Sequence, residues 1–239
     1  NAQDECPFCY IERQLEQDLM DFVLGSGSSY MEADIRDLTD RAGFCRTHFK
    51  KMFDYGNTLG NAWILKTHYM RTIAEMKKAF DSYSPARISL KDRLKKPSGY
   101  ANPVSEWIAE RDDSCYICNN FEKEYDRYLD TFMTMYDRDS DFRNRIQNSK
   151  GFCLSHFGDL CEYAEQHLKD SEKKAFFDAM FKLMEANMDR LSEDVSWMVE
   201  KFDYRNKDAD WKNSKDAIQR GMQKLKGGYP ADPPYKQAK

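Results

Sequence analysis

The sequence has few of the residues that interrupt helices and no long apolar run. Its 239 residues include only 11 Gly and 7 Pro, and this composition favours helix over sheet. No stretch approaches the roughly 18 to 20 consecutive apolar residues that a membrane helix needs, so no membrane span is expected. Because hydrophobic residues make up 41% and aromatic residues 14% of the chain, it can nevertheless bury a real core.

An excess of positive charge is also missing. The chain has 37 Lys and Arg against 41 Asp and Glu, a net charge of −4, so no nucleic-acid partner is expected, since such proteins usually carry a basic balance. The sequence contains no glycine-rich phosphate loop and no nucleophile elbow. Its seven cysteines are an odd number, which fits a disulfide framework poorly. We therefore expect a reducing, cytoplasmic setting in which the thiols are kept for metal.

What the sequence does contain is one cysteine and histidine pattern that occurs twice. Each copy has a Cys-x-x-Cys pair and, farther along, a Gly-Phe-Cys-x-x-His segment. The pairs begin at Cys6 and Cys115, 115 − 6 = 109 residues apart, and the segments begin at Gly43 and Gly151, 151 − 43 = 108 residues apart. One single-residue insertion or deletion superposes the copies, which predicts an internal duplication.

The repeated residues have the chemistry of metal ligands. A Cys-x-x-Cys turn and a Cys-x-x-His helical turn each bring two donors to one side, and together they form a Cys₃His set typical of structural zinc. Each motif lies where a helix is expected to begin, and a helix N-terminus favours the thiolate form. We predict two zinc ions per chain, each bound within one copy. The ligands are Cys6, Cys9, Cys45 and His48 in the first copy, and Cys115, Cys118, Cys153 and His156 in the second.

Other interpretations of the same residues stay open at this stage. A Cys₃His set can also hold an iron–sulfur cluster, which would indicate an electron carrier or a redox sensor. A catalytic zinc keeps an open coordination position, whereas four ligands are available in each copy, so a non-enzymatic role is favoured. A third possibility is a small-molecule binder or enzyme that uses a cleft between the repeats.

Periodic apolar residues predict an all-α protein of two duplicated helical repeats that form a bundle, each stapled by one metal site. We expect a first repeat over residues 1–81, a linker over 82–104, a second repeat over 105–205 and a C-terminal tail with one short helix over 206–239. The linker carries a basic run between residues 87 and 96. One long stripe is expected to face the core or a dimer partner: Phe177, Phe181, Met184, Met188, Leu191, Val195 and Met198.

Cys161 has no counterpart among the ligands of the first copy. Phe53 takes the aligned position, and an aromatic residue there predicts a buried site. Cys161 is therefore expected to be a small core residue and not a ligand.

The motifs resemble an uncharacterised bacterial family that carries Cys-Pro-x-Cys followed by Gly-(Phe or Leu)-Cys-x-x-His, often in tandem. The first copy fits that pattern with its Cys-Pro-Phe-Cys, and the second departs from it at Tyr116, where the family usually has Pro. The resemblance covers most of residues 4–205 and implies a domain of unknown function. It adds no activity to the prediction from the residues: a zinc-binding interaction or regulatory module, monomeric or homodimeric, with an unidentified protein partner.

Overall fold

The computed structural model describes residues 4–85 and 102–230. Within them the chain forms ten α-helices and no strand, which confirms the all-α prediction. Two short 3₁₀ turns lie at Ser29–Met31 and Tyr204–Asn206. The helices are α1 (Pro7–Leu24), α2 (Ala33–Ala42), α3 (Arg46–Tyr55), α4 (Thr58–Asp81), α5 (Pro103–Asp112), α6 (Tyr116–Arg138), α7 (Ser140–Gln147), α8 (Leu154–His167), α9 (Asp170–Glu200) and α10 (Ala217–Lys226).

Local capping residues account for several helix boundaries. The side chain of Asn57 accepts a hydrogen bond from the backbone of Gly60 at the start of α4, and Asn102 caps α5 in the same way, directly before a proline at the first helical position. Asp139 accepts two backbone N–H groups at the start of α7. Such side chains satisfy donors that the helix itself leaves unpaired.

The predicted basic run at 87–96 lies outside the described residues.

The described residues divide into two compact units. Unit 1 comprises residues 4–15 and 123–230, and unit 2 comprises residues 16–85 and 102–122. These boundaries differ from the repeat ranges 1–81 and 105–205, because α1 and α6 each begin in one unit and end in the other. The order of helix lengths in α1–α4 is matched by α6–α9. That order agrees with a duplication, which itself stays a prediction.

Each unit has its own buried apolar cluster. In unit 1 aromatic and aliphatic side chains from α1, α6, α8 and α9 meet, among them Phe8, Phe152, Leu160 and Met180. In unit 2 the cluster draws on α1, α3, α4 and the start of α6, and it includes Met20, Leu24, Met52, Ile64 and Ile117. Burial of these side chains is the main favourable contribution to the stability of each unit.

The long stripe predicted on α9 is confirmed in part. Met184 and Leu191 of that stripe are buried, whereas Phe181 is 49% exposed and Val195 is 38% exposed. The other side chains that α9 buries are Phe176, Met180, Leu183 and Asn187. The buried face is therefore rotated from the predicted one, because apolar residues occur on both faces of α9 and periodicity alone did not separate them.

The prediction for Cys161 was wrong in its premise. Phe53, whose aromatic ring was expected to mark a buried site, is 78% exposed, and Cys161 is only partly buried. The fully buried residues of this stretch of α8 are Leu160 and Ala164, which face the core of unit 1.

Among the described residues, no helix is both long and apolar enough to cross a membrane.

Two adjacent positions on α4 provide a test of the core of unit 2. Ile64 is 1% exposed and Leu65 is 37% exposed. We expect Ile64→Ala to lower the free energy of unfolding by about 2–5 kcal/mol, because it leaves a cavity among side chains that cannot fully relax. Leu65→Ala is the matched control and should have a clearly smaller effect. Chemical denaturation checks both, and equal losses would contradict this assignment of the core.

Candidate metal centres

The structure brings all eight predicted ligands together in two groups of four. Cys6 and Cys9 lie with Cys153 and His156 in unit 1, and we call this group site 1. The other group, site 2, lies in unit 2 and consists of Cys45, His48, Cys115 and Cys118. In each group the ligand atoms all lie within 4.8 Å of one another. Both groups therefore have the Cys₃His composition predicted from the sequence.

The predicted pairing of the motifs, however, was wrong. Each site combines the Cys-x-x-Cys pair of one copy with the Cys-x-x-His segment of the other, instead of being completed within one copy. The division of the chain gives a reason. Because α1 begins in unit 1 and ends in unit 2, the Cys-x-x-His segment that follows it belongs to unit 2, whereas Cys6 and Cys9 stay in unit 1.

The donor atoms converge closely in site 1. The Nδ1 atom of His156 lies 3.1 Å from the sulfur of Cys153, 3.4 Å from that of Cys6 and 3.5 Å from that of Cys9. The sulfurs of Cys9 and Cys153 are 3.7 Å apart. One ring nitrogen thus faces three sulfurs, an arrangement in which a single cation can contact all four atoms.

Site 2 has the same arrangement, with a longer distance between the sulfurs than in site 1. The Nδ1 atom of His48 lies 3.2 Å from the sulfur of Cys45, 3.3 Å from that of Cys115 and 3.4 Å from that of Cys118. The sulfurs of Cys45 and Cys118 are 4.0 Å apart. In both sites it is therefore Nδ1 that points toward the sulfurs.

The second ring nitrogen of each histidine contacts a carboxylate. Nε2 of His156 lies 3.0 Å from Glu12, and Nε2 of His48 lies 2.9 Å from Glu16, which also pairs with Lys51. Both glutamates belong to α1. A carboxylate in this position fixes the orientation of the ring and strengthens the other nitrogen as a donor. Each site thus has the carboxylate–histidine arrangement that accompanies metal-binding histidines.

Sequence reasoning missed these two glutamates. Glu12 and Glu16 align with Phe121 and Tyr125 of the second copy, so the repeat contains no signal for these glutamates. Their position one and two turns after the Cys-x-x-Cys pair was the only available clue.

The motifs lie at helix N-termini, as predicted. Helices α1 and α6 begin inside the two Cys-x-x-Cys pairs, and Cys45 and Cys153 are the N-cap residues of α3 and α8. The sulfur of Cys153 accepts a hydrogen bond from the backbone of His156. The free N–H groups and the positive end of the helix dipole favour thiolates at these positions.

The glycine that precedes each Phe-Cys is required by the backbone. Gly43 has φ +66° and Gly151 has φ +71°, values that L side chains rarely adopt. A Cβ atom at Gly43 would lie 3.1 Å from the ring of His68, and one at Gly151 would lie 3.1 Å from the sulfur of Met184. Both glycines therefore lie at sharp turns that lead into the Cys-x-x-His segments.

Electrostatic coupling within site 1 is strong. Hydrogen bonds from Cys6, Cys9 and His156 lower the pKa of Cys153, whereas hydrogen bonds to Cys153 and Cys6, together with burial, raise the pKa of Cys9. Burial alone would lower the pKa of His156, but hydrogen bonds to Cys153, Cys6 and Glu12 raise it to about 12. These opposite pKa shifts favour a thiolate at Cys153 and a protonated imidazole at His156 beside it.

Site 2 behaves in the same way. Burial opposes ionisation of Cys115, yet hydrogen bonds from His48 and from the backbone lower its pKa to about 6. Burial and the neighbouring Cys115 raise the pKa of Cys118 to about 12. The pKa of His48 is lowered by burial but raised more strongly by hydrogen bonds to Cys115 and Glu16, and it reaches about 10. A divalent cation would replace the protons that these groups otherwise share.

The two sites differ in how far they are covered. All four residues of site 1 are buried, whereas Cys45 and Cys118 of site 2 are partly exposed. The tail helix α10 contributes to the difference, because a Cβ atom at Gly227, directly after that helix, would lie 3.6 Å from the sulfur of Cys153 and 3.8 Å from that of Cys9. The short helix predicted in the tail is therefore packed against the rest of unit 1, and its Gln223 and Lys224 are buried.

Lys224 is a buried residue of α10, the helix that covers site 1. Its amine donates hydrogen bonds to the backbone carbonyls of Glu5 and Lys150, which precede the two cysteine motifs. Burial lowers the pKa of this amine to about 8, although the negative charges of Glu5, Cys6 and Cys153 act in the opposite direction. Helix α10 therefore closes site 1 with both a backbone contact and a positively charged side chain.

Comparisons with known proteins bear on the chain as a whole. A family model described as "Family of unknown function (DUF6062)" matches residues 1–232. Neither the curated proteins nor the solved structures contain a match. The motifs, the helices and both sites all fall within the matched residues.

The difference in burial predicts an order of cysteine reactivity. In the folded protein, iodoacetamide should modify Cys45 and Cys118 before Cys6, Cys9 and Cys153. The reason is that Cys45 and Cys118 are partly exposed, whereas the other three are buried. A Cys161→Ser background removes the seventh thiol, and mass spectrometry of the peptides after timed labelling gives the order. Denatured protein is the control, in which all six should react alike. Faster labelling of site 1 would contradict the structure.

Proposed function

The chain belongs to a family of unknown function (DUF6062), and we propose that it is a zinc-binding protein whose two Cys₃His sites are structural. The observation that carries the proposal is the convergence, in each unit, of three sulfurs and one histidine nitrogen within 4.8 Å. We further propose that it acts in the cytoplasm as an interaction or regulatory module, with a protein partner and without catalysis at the metals.

The distances between donors support one tetrahedral ion in each site. With Zn–S near 2.3 Å and Zn–N near 2.0–2.1 Å, tetrahedral angles place nitrogen and sulfur about 3.5 Å apart and two sulfurs about 3.8 Å apart. The observed separations are 3.1–3.5 Å between nitrogen and sulfur and 3.7–4.0 Å between sulfurs. The donor set also suits zinc, because zinc is a borderline-soft ion that thiolate and imidazole ligands bind well.

The same distances disfavour an iron–sulfur cluster. A cluster places several iron and sulfide atoms between its cysteine ligands, so the terminal sulfurs of one cluster are held much farther apart than two sulfurs on one ion. The sulfurs of Cys9 and Cys153 are 3.7 Å apart and those of Cys45 and Cys118 are 4.0 Å apart. One ion fits this spacing without any movement of the ligands.

A structural role follows from the closed ligand sets and their positions. Four protein donors leave no coordination position for water or substrate, and the ligands lie at the starts of helices that also form the two cores. Zinc bound in such a site contributes roughly 10–16 kcal/mol of apparent free energy, most of which is coupled to folding. That exceeds the typical stability of a domain, about 5–15 kcal/mol.

The metal content of the protein tests the proposal. Protein purified without oxygen should contain about two zinc per chain by elemental analysis and should show no absorption band near 400 nm. Prolonged dialysis against a chelator should remove the helical circular dichroism along with the zinc, because loss of metal unfolds each unit. Brown, iron-containing protein, or a fully folded protein without metal, would contradict the proposal.

Paired substitutions test which motifs share an ion. Cys9→Ser with Cys153→Ser removes two ligands of site 1, so the variant should keep about one zinc per chain. Cys9→Ser with Cys45→Ser damages both sites and should lose both ions. Each variant lacks two thiols, so the two serve as matched controls for each other. The reverse result would show that each ion is held within one copy, contrary to the grouping in the structure.

A further inference from the structure

Unit 1 contains a polar pocket, two of whose lining residues contact the carboxylate of Glu5. Its volume is about 700 Å³, within the range of small-molecule sites, which is roughly 300–1,000 Å³. Such sites are usually lined by apolar and aromatic side chains, but every residue that lines this pocket is polar or charged. They are Asn148, Ser149, Lys150, Asn187, Arg190, Asp194, Lys212, Asn213, Lys215, Asp216 and Arg220.

Positive charge dominates the pocket although the whole chain has a net charge of −4. Five lining residues are Lys or Arg and two are Asp. One more carboxylate, that of Glu5, is completely buried behind the pocket and lies 3.3 Å from Arg220 and 3.8 Å from Lys150. Among the described residues, five cations thus stand against three carboxylates. The surplus of two positive charges is matched in sign and size by a dianion.

The two arginines are fixed in place before any ligand arrives. Arg220, 5% exposed, contacts Asp216 at 2.8 Å and Asp194 at 3.0 Å. Arg190 pairs with Glu5, and its Nε atom donates a hydrogen bond of 3.1 Å to the side chain of Asn187. Held side chains lose little conformational entropy on binding, which increases the affinity for a complementary ligand.

The lysines lie at the rim of the pocket. Lys212 and Lys215 are exposed, and Lys212 has φ +51°, a left-handed conformation that is rare outside glycine. Its ammonium group lies 4.0 Å from the centre of the Trp197 ring. Residues held in such conformations occur most often at functional sites. The rim therefore supplies point charges above a floor of arginine and asparagine side chains that hydrogen bonds and ion pairs hold in place.

We propose that this pocket binds a small phosphate monoester that carries hydroxyl groups and no aromatic ring, such as a polyol phosphate. A phosphate monoester has a charge of about −1.5 to −2 at pH 7 and three strong acceptor oxygens, which fits the charge surplus and the N–H donors of the lining lysines. The serine and asparagine side chains offer partners for hydroxyl groups. None of the described residues that line the pocket is aromatic, so a nucleobase would find no stacking surface.

Calorimetric titration of the purified, metal-containing protein tests the proposal, with glycerol 3-phosphate as the probe and the ionic strength held constant. We expect saturable binding of one equivalent and no binding of glycerol. Lys150→Gln with Lys215→Gln should weaken binding at least about tenfold, because two charge-assisted contacts are lost. Lys174→Gln with Lys182→Gln is the matched control, since it changes the net charge equally on the exposed surface of α9 and should bind as wild type.

Zinc content and circular dichroism establish that all variants are folded, so loss of binding is separated from loss of structure. Adenosine monophosphate provides the second arm and should bind within about threefold of glycerol 3-phosphate, because its base gains no contact. Absence of saturable binding, or equal weakening in both pairs of variants, would overturn the assignment of the pocket. Binding of adenosine monophosphate more than about tenfold tighter would overturn the class of ligand. The result does not depend on which metal occupies the two sites.

Discussion

The mutual repulsion of three thiolates is the constraint on which each unit depends. In both sites three sulfurs surround one histidine nitrogen within 4.8 Å, inside a buried or partly buried environment where like charges interact strongly. Protons relieve the repulsion only in part, as the opposite pKa shifts of Cys115 and Cys118 show. A divalent cation offsets most of it, and its binding free energy then becomes folding free energy.

The position of the ligands along the chain decides what that free energy holds together. In site 1, Cys9 and His156 are separated by 147 residues, and in site 2, His48 and Cys118 are separated by 70. Closing such long loops costs entropy that grows only slowly with length, so one strong contact between distant segments is effective. The ligands also start the helices that supply the cores, and the metal sites and the apolar clusters therefore form together.

Helix α10 takes part in two features of unit 1. It covers the Cys₃His group of site 1, with Gly227 against the sulfurs and Lys224 buried beside them. The same helix contributes Arg220 to the polar pocket. Glu5 connects the two features, since it precedes Cys6 of site 1 in the sequence and its carboxylate contacts Arg220 of the pocket.

The amino-acid sequence by itself determined the all-α fold and the eight residues that form the two Cys₃His groups, because helix periodicity and donor chemistry are local properties. Tertiary structure alone decided that Cys9 joins Cys153 and not Cys45, since this depends on which segments fold into the same unit. The same holds for Glu12 and Glu16, which are ordinary helix residues until a histidine from a distant segment lies beside them. Pairing between distant segments is a property of packing, and no local pattern encodes it.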